Sequence, residues 1–157
     1  MSVRPSTRGP RPAFVDSNLL VHAFDESGPA DIRGPALALV RAGFEGRARL
    51  AVSNQVLGEM VHTMTKQLRA RRPARDPWSI AEDFVLSMNW MKLEYTTTTL
   101  SEAARLSRQH RIPTWDAVLV ATMFENGISR LYTENESDFE RVPDLEVVNP
   151  VEAGTDE

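Results

Sequence analysis

Apolar and polar positions along the chain switch repeatedly between a strand-like and a helical period. Ala13, Phe14 and Val15 form an uninterrupted apolar run, the pattern of a strand buried on both faces. Leu19, Leu20, Ala23 and Phe24 then recur at helical spacing, in a helix that starts from Ser17 or Asn18. "DIRGPALALVRAGFEG" predicts a second helix near 35–43, ending around Gly43 to Gly46, and "RARLAVS" predicts a strand at about 49–52. Ser53 or Asn54 caps a longer helix that carries Val56, Leu57, Met60, Val61, Met64 and Leu68 on one arc, and "RARRPARDP" breaks it. Residues 76–89 read as helical through Trp78, Ile80, Phe84, Val85 and Met88. "WMKLEYT" is a third strand, and "TLSEAARLSRQH" a helix capped by Thr99 or Ser101. Pro113 and Thr114 open the helix "TWDAVLVATMFENG", which Gly127 closes; "SRLYT" and "LEVVN" are the last two strands. Regular alternation of strand and helix predicts an α/β fold. Its central sheet is mostly parallel, of about five strands, and helices flank both faces. Ligands in such folds sit outside the carboxyl ends of the strands.

Size and composition narrow this picture. A chain of 157 residues with 41 % apolar content predicts one domain with a proper core. No apolar run approaches the roughly 18 residues of a membrane span. The stretch "MSVRPSTRGPRPAF" carries Arg4, Arg8 and Arg11 but lacks the apolar centre of a signal peptide. We therefore expect a loose arm over 1–12, the folded domain over 13–150 and a tail over 151–157. Cysteine is absent, which removes disulfides and thiolate metal sites and suits a cytoplasmic setting. The net charge of −4 provides no overall basic field for nucleic acid.

The acids fall at informative places. Asp16 follows the first strand directly, Glu59 lies early in the helix after the second, and Asp116 lies in the first turn after "RIPT". The fourth strand runs into "LYTENESDF", with Glu134, Asn135, Glu136 and Asp138. Each has an ordinary explanation: Asp16 as a helix cap, Asp116 as an acid at a helix dipole, Glu59 as a margin residue in an ion pair. Together they are harder to explain. Carboxylates about 5 Å apart repel by roughly 3 kcal/mol per pair at an effective dielectric near 20. Either they stay apart, or a divalent cation sits among them, and oxygen ligands without cysteine select Mg²⁺ or Mn²⁺. Such an ion suits phosphodiester hydrolysis, because it orients a water, lowers its pKa and stabilises charge on phosphate oxygens.

These segments resemble PIN domains, specifically the single-domain ribonuclease toxins of VapC and FitB type. "FVDSNLLVHAFD" resembles the opening strand of that family with its first aspartate, Asp16. "VSNQVLGEMV" resembles the segment with the helix glutamate, Glu59, and "IPTWDAVLVAT" the segment with Asp116. "LYTENESDF" and "LEVVNP" resemble the closing segment and last strand. The resemblance runs from about 13 to 150 and implies a PIN-domain, Rossmann-like fold. It implies a Mg²⁺- or Mn²⁺-dependent endoribonuclease acting as the toxin of a type II toxin–antitoxin pair, with an RNA substrate, a cognate antitoxin and a homodimer. By position it makes Asp16 and Asp116 the metal ligands and makes Asp16, Glu59, Asp116 and Asn135 the catalytic set. Thr133 orients the cluster through its hydroxyl and stands in the substrate-binding position. Many members carry an aspartate where this chain has Asn135, which supplies a carbonyl but one charge fewer. Asp138 is its possible substitute, against the plainer role of a solvated turn residue. With that charge gone, a binding module with little or no catalysis is the competing function.

Other features add less. His22, His62 and His110 are too scattered for a zinc site, and Glu59 with His62 lacks the second such pair a di-iron bundle needs. Arg69, Arg71, Arg72 and Arg75 form either a solvated helix end or a contact for phosphates. Trp78, Trp90 and Trp115 read as core or interface anchors, and "LALVRAGF" and "VLGEMVHTM" as apolar helices with room for a dimer interface and an antitoxin groove. A haloacid-type phosphatase would need an acid at Asn18, and a receiver domain a late lysine, whereas none follows Lys92.

Overall fold

A computed structural model describes residues 10–68 and 75–152. Twelve elements follow one another as β1 (Ala13–Val15), α1 (Ser17–Phe24), α2 (Ala30–Phe44), β2 (Leu50–Ser53), α3 (Asn54–Leu68), α4 (Pro77–Leu86), β3 (Met91–Leu93), α5 (Thr97–His110), α6 (Thr114–Glu125), β4 (Arg130–Tyr132), α7 (Glu136–Phe139) and β5 (Glu146–Val148). The five strands form one sheet in the order β3-β2-β1-β4-β5, and all four pairings are parallel. Strand β1 is central, with Phe14 facing Ala51 on one side and Leu131 on the other. Burial on both faces explains why β1 is uniformly apolar.

This order places the topological switch between β1 and β4, where the chain, having wound outward to β3, resumes on the opposite side of β1. The two strands diverge into different helices there and leave a crevice at their carboxyl ends. Hydrogen bonding continues one residue past each strand: Asp16 donates its N–H to Tyr132 O at 2.9 Å, and Thr133 donates to Val148 O at 3.1 Å. Two polar side chains are thereby set at the rim of the crevice by sheet geometry.

The core packs Phe44, Phe84 and Trp90 against one another, with Phe84 4.9 Å from Trp90 between ring centres. Gly43 lies beneath this cluster, and a Cβ there would come within 2.5 Å of Trp90, so only glycine fits. Gly127 adopts φ of +70°, the left-handed conformation expected where it ends α6. The apolar arc of α3 and part of that of α2 are spent on this core, since Ala36, Val40, Val56, Leu57, Met60, Val61 and Met64 are all buried. Leu37, Leu39 and Phe44 of α2 are only partly buried against it, so that helix keeps some apolar surface open. The exposed large apolar residues lie on and after α4, at Trp78, Val85, Leu86 and Met88, and at Leu100 and Trp115. Of the three tryptophans only Trp90 is core.

Boundaries shift where capping is subtle. Helix α2 begins at Ala30, five residues before Pro35, which is an interior residue and not the helix start. Helix α4 is shorter than its apolar spacing, running from the N-cap Asp76 to Leu86. The cap of α5 is Thr96, and the Thr99 hydroxyl accepts the Thr96 N–H at 2.9 Å while donating to Glu125 at 2.8 Å. Thr99 thus ties α5 to α6 from a buried position and does not begin the helix. Arg69, Arg71 and Arg72 lie outside the described residues; Arg75 is paired with Asp83 at 2.7 Å. No helix among the described residues is long and apolar enough to cross a membrane.

Candidate active site

Asp16 is 7 % exposed at the end of β1. Its Oδ1 accepts the Ser17 N–H at 2.7 Å, and its Oδ2 accepts the Thr133 hydroxyl at 2.9 Å. The Asn18 amide donates to Thr133 Oγ1 at 3.2 Å and to Asp16 Oδ2 at 3.4 Å. The Asn135 N–H adds a third bond to Thr133 Oγ1 at 3.1 Å. Thr133 is fully buried and its hydroxyl proton is committed to Asp16, so it orients that acid. Burial pushes the Asp16 carboxyl up to about 6; the Thr133 and Ser17 bonds oppose that rise, and the Glu59 charge adds to it.

Glu59 is held from α1 and from its own helix. The Ser17 hydroxyl donates to its Oε2 at 2.9 Å, and Gln55 Nε2 donates to its Oε1 at 2.7 Å. The same Gln55 nitrogen donates to the Trp115 carbonyl at 2.9 Å, which ties α3 to the start of α6 beside Asp116. Asp116 lies half-buried in the first turn of α6. Burial pushes its carboxyl up to about 6, followed by repulsion from Asp16, Asp138 and Glu59 in that order. The three acids separated by sequence thus share one electrostatic environment.

The fourth segment splits its roles. Asn135 is exposed before α7 and contributes its backbone N–H. Asp138 is also exposed, and its charge adds to the repulsion on Asp116. Glu134 pairs with His22 at 2.6 Å and secures the loop after β4 to α1. His62 is exposed, clear of the acids' hydrogen bonds. Sequence reasoning missed Ser17, Asn18 and Gln55. Gln55 lies four residues before Glu59, so the two share a helix face, and that spacing was the available signal.

Among the described residues no lysine, arginine or histidine pairs with Asp16, Glu59 or Asp116. Nor do three acidic or imidazole groups among them converge into a complete cation cage. Two desolvated, mutually repelling carboxylates still fit a small dication that keeps most of its waters and takes one or two protein ligands, as Mg²⁺ does. Beside them opens a cavity of about 560 Å³ lined by Asn54, Gln55, Gly58, Glu59, Tyr95, Trp115 and Asp116.

The sequence over residues 13–145 matches the model of the PIN domain. The chain belongs to the PIN-domain family. Solved structures share the PIN fold at low identity. A toxin–antitoxin complex from Klebsiella pneumoniae aligns with a TM-score of 0.60 at 20 % identity, covering 88 % of this chain and 97 % of that one. The Mycobacterium tuberculosis VapC20 toxin, described as cleaving the sarcin–ricin loop, gives 0.61 at 21 %, covering 83 % and 96 %. VapBC2 from Rickettsia felis, bound to a fragment of its promoter DNA, gives 0.61 at 15 %, covering 88 % and 98 %. No curated protein matches the sequence significantly.

Proposed function

We propose that this PIN domain is a metal-dependent endoribonuclease that hydrolyses RNA phosphodiester bonds as the toxin of a type II toxin–antitoxin pair in the cytoplasm. The observation that carries the reading is the pair Asp16 and Asp116, both held up at about 6 at the switch point with no cationic side chain among the described residues to relieve them. Asp16 and Asp116 would hold Mg²⁺ or Mn²⁺. Such an ion, when bound, activates water and neutralises developing charge on the phosphate.

The chain's own residues do the rest. Thr133, with Ser17 N–H, holds the Asp16 carboxylate in one orientation. Glu59, fixed by Ser17 and Gln55, completes the acidic cluster and keeps lone pairs free for a hydrogen bond from the attacking water. With both carboxyls at about 6, the aspartates are mostly charged at neutral pH and would serve there as ligands and not as proton acceptors. Asn135 offers a carbonyl at the outer side of the cluster. The exposed apolar residues of α4 give an antitoxin or a second copy a surface to cover. The toxin–antitoxin complexes with the same fold support the antitoxin as partner.

One observation favours the competing reading, a module that binds RNA or protein without turnover: the fourth position is an exposed amide and not an acid. Incubating the purified protein, free of antitoxin, with a structured RNA pool in Mg²⁺, Mn²⁺ or EDTA separates the two. Cutting that needs metal and is lost by over about 10³-fold in Asp116→Asn is the expected result, since metal stabilisation is worth several kcal/mol. A folded protein that never cuts, or a variant that cuts as the parent does, defeats the nuclease assignment.

A further inference from the structure

The cavity beside the acids has a side that hydrolysis leaves unused. Its 560 Å³ lies within the range of about 300–1,000 Å³ typical of small-molecule sites. Trp115 forms one wall with 54 % of its surface exposed, and the Tyr95 ring meets it edge-on at 6.1 Å. An indole left this open beside charged groups gains apolar contact only when something covers it.

Two amides on the same wall have assigned orientations. Asn54 Oδ1 accepts the N–H groups of Gln55 at 3.0 Å and Tyr95 at 3.1 Å, which leaves its Nδ2 as the end able to donate to a ligand. Gln55 is 7 % exposed, and its Nε2 faces two acceptors, the Glu59 carboxylate and the Trp115 carbonyl. Its Oε1 is therefore the remaining end of a fixed amide, buried and without a partner among the described residues. Glu59 and Asp116 complete the lining, and their charges repel any anion. A flat neutral group that stacks on the indole and accepts from the Asn54 amide meets these conditions, whereas a phosphate has no face to stack and is repelled by the acids.

We propose that this cavity receives one unpaired base of the RNA, stacked on Trp115 and hydrogen-bonded by Asn54, with the adjoining phosphate at the acids. This rests on the ribonuclease reading and adds to it a specificity pocket: the base must leave its helix to enter, so cleavage falls in unpaired segments.

The test measures binding apart from cutting. Asp16→Asn is the non-cleaving background, because Asp16 does not line the cavity. Single-stranded RNA octamers of each base, and a wholly abasic octamer, are titrated in Mg²⁺ against this protein with and without Trp115→Ala or Trp115→Phe. Loss of one base–aromatic stack predicts about tenfold weaker binding for Trp115→Ala, and Trp115→Phe retains most of the affinity. The abasic octamer binds the background about as weakly as Trp115→Ala binds the intact ones. Unchanged melting confirms that the exposed position tolerates the change. Equal octamer affinity with and without Trp115, or an equal loss on the abasic strand, overturns the proposal. A changed oligomeric state with unchanged RNA binding also overturns it and assigns Trp115 to a protein interface. If the parent cuts RNA and Trp115→Ala cuts it with the same base preference, the pocket falls while the ribonuclease stands. Base-dependent, Trp115-dependent binding by a parent that cuts nothing keeps the pocket and removes the nuclease.

Discussion

Asp16 and Asp116 are two acids of one site held in opposite ways. Asp16 is buried at the end of the central strand, with a hydroxyl and a backbone N–H on its two oxygens. Asp116 is half-buried on a helix turn and faces three other carboxylates, with none of the described hydrogen bonds reaching its side chain. Both carboxyls rise to about 6, yet the first is raised against the pull of its donors and the second has repulsion added to its burial. A carboxylate with fixed donors keeps its orientation whether or not an ion is present, whereas one without donors takes its orientation from the ion it holds. The site therefore combines a prepositioned ligand with an adaptable one.

The largest consequence is in the pH dependence of stability. Below about pH 4 Asp16 is protonated in both the folded and unfolded chain and makes no difference. Between about 4 and 6 the folded state keeps a proton that the unfolded chain has released, so stability falls as pH rises through that window and stays reduced above it. For this buried group the full cost is on the order of 3 kcal/mol. Asp16→Asn has no such cost. In denaturant titrations without metal, the stability of Asp16→Asn relative to the parent should improve by about that amount between pH 4 and pH 7.5. A constant difference between the two proteins would show that Asp16 is not buried as a charge.

Metal addition probes both acids together. A dication that binds only the folded state at about one hundred times its dissociation constant stabilises by roughly 2.7 kcal/mol. Mg²⁺ or Mn²⁺ should raise the melting temperature of the parent at pH 7.5, raise it less at pH 5 where the carboxyls hold protons, and leave Asp116→Asn nearly unmoved. An equal shift in parent and variant would place the ion elsewhere.

Thr133→Val removes the hydroxyl donor to Asp16 together with the acceptor that Asn18 and the Asn135 N–H use. A buried acceptor that loses its partner costs about 1–3 kcal/mol, and the cost should shrink below pH 5, where Asp16 is neutral. Thr133→Ser restores the hydroxyl and should recover most of the loss in both melting and cleavage. Full activity in Thr133→Val would mean that Asp16 keeps its orientation without help.

Much of this contrast was legible before the fold was known, and the rest was not for identifiable reasons. Asp16, Glu59 and Asp116 stand out because each follows a local signal, an apolar run or a helix start, that fixes its place on the sheet edge. The central sheet follows from uniformly apolar segments such as Ala13 to Val15, which only burial on both faces explains. Long-range hydrogen bonds leave no such trace: Thr133 meets Asp16 across 117 positions and Ser17 meets Glu59 across 42. The open faces were misjudged because helical periodicity shows that a face is apolar but not which neighbour covers it. The arc of α3 and part of that of α2 went into the core, while Trp78 and Trp115 lie exposed at helix starts.

The smallest expected effect concerns the acid that replaces Asn135 in influence without replacing it in position. Asp138 is exposed, so water and salt screen most of its charge, yet among the repulsions on Asp116 it ranks between Asp16 and Glu59. Asp138→Asn should lower the Asp116 titration midpoint, followed by NMR in the metal-free protein, by less than Asp16→Asn does and by more than Glu59→Gln does. The Asp138 component should fade in high salt, while the component from buried Asp16 persists. Asn135→Asp offers the opposite change, one more charge at the outer side, and should raise the midpoint and tighten Mn²⁺ binding together. If Asp138→Asn moves nothing while Asn135→Asp does, the fourth acidic position belongs to residue 135, and α7 merely carries Asp138 past the site.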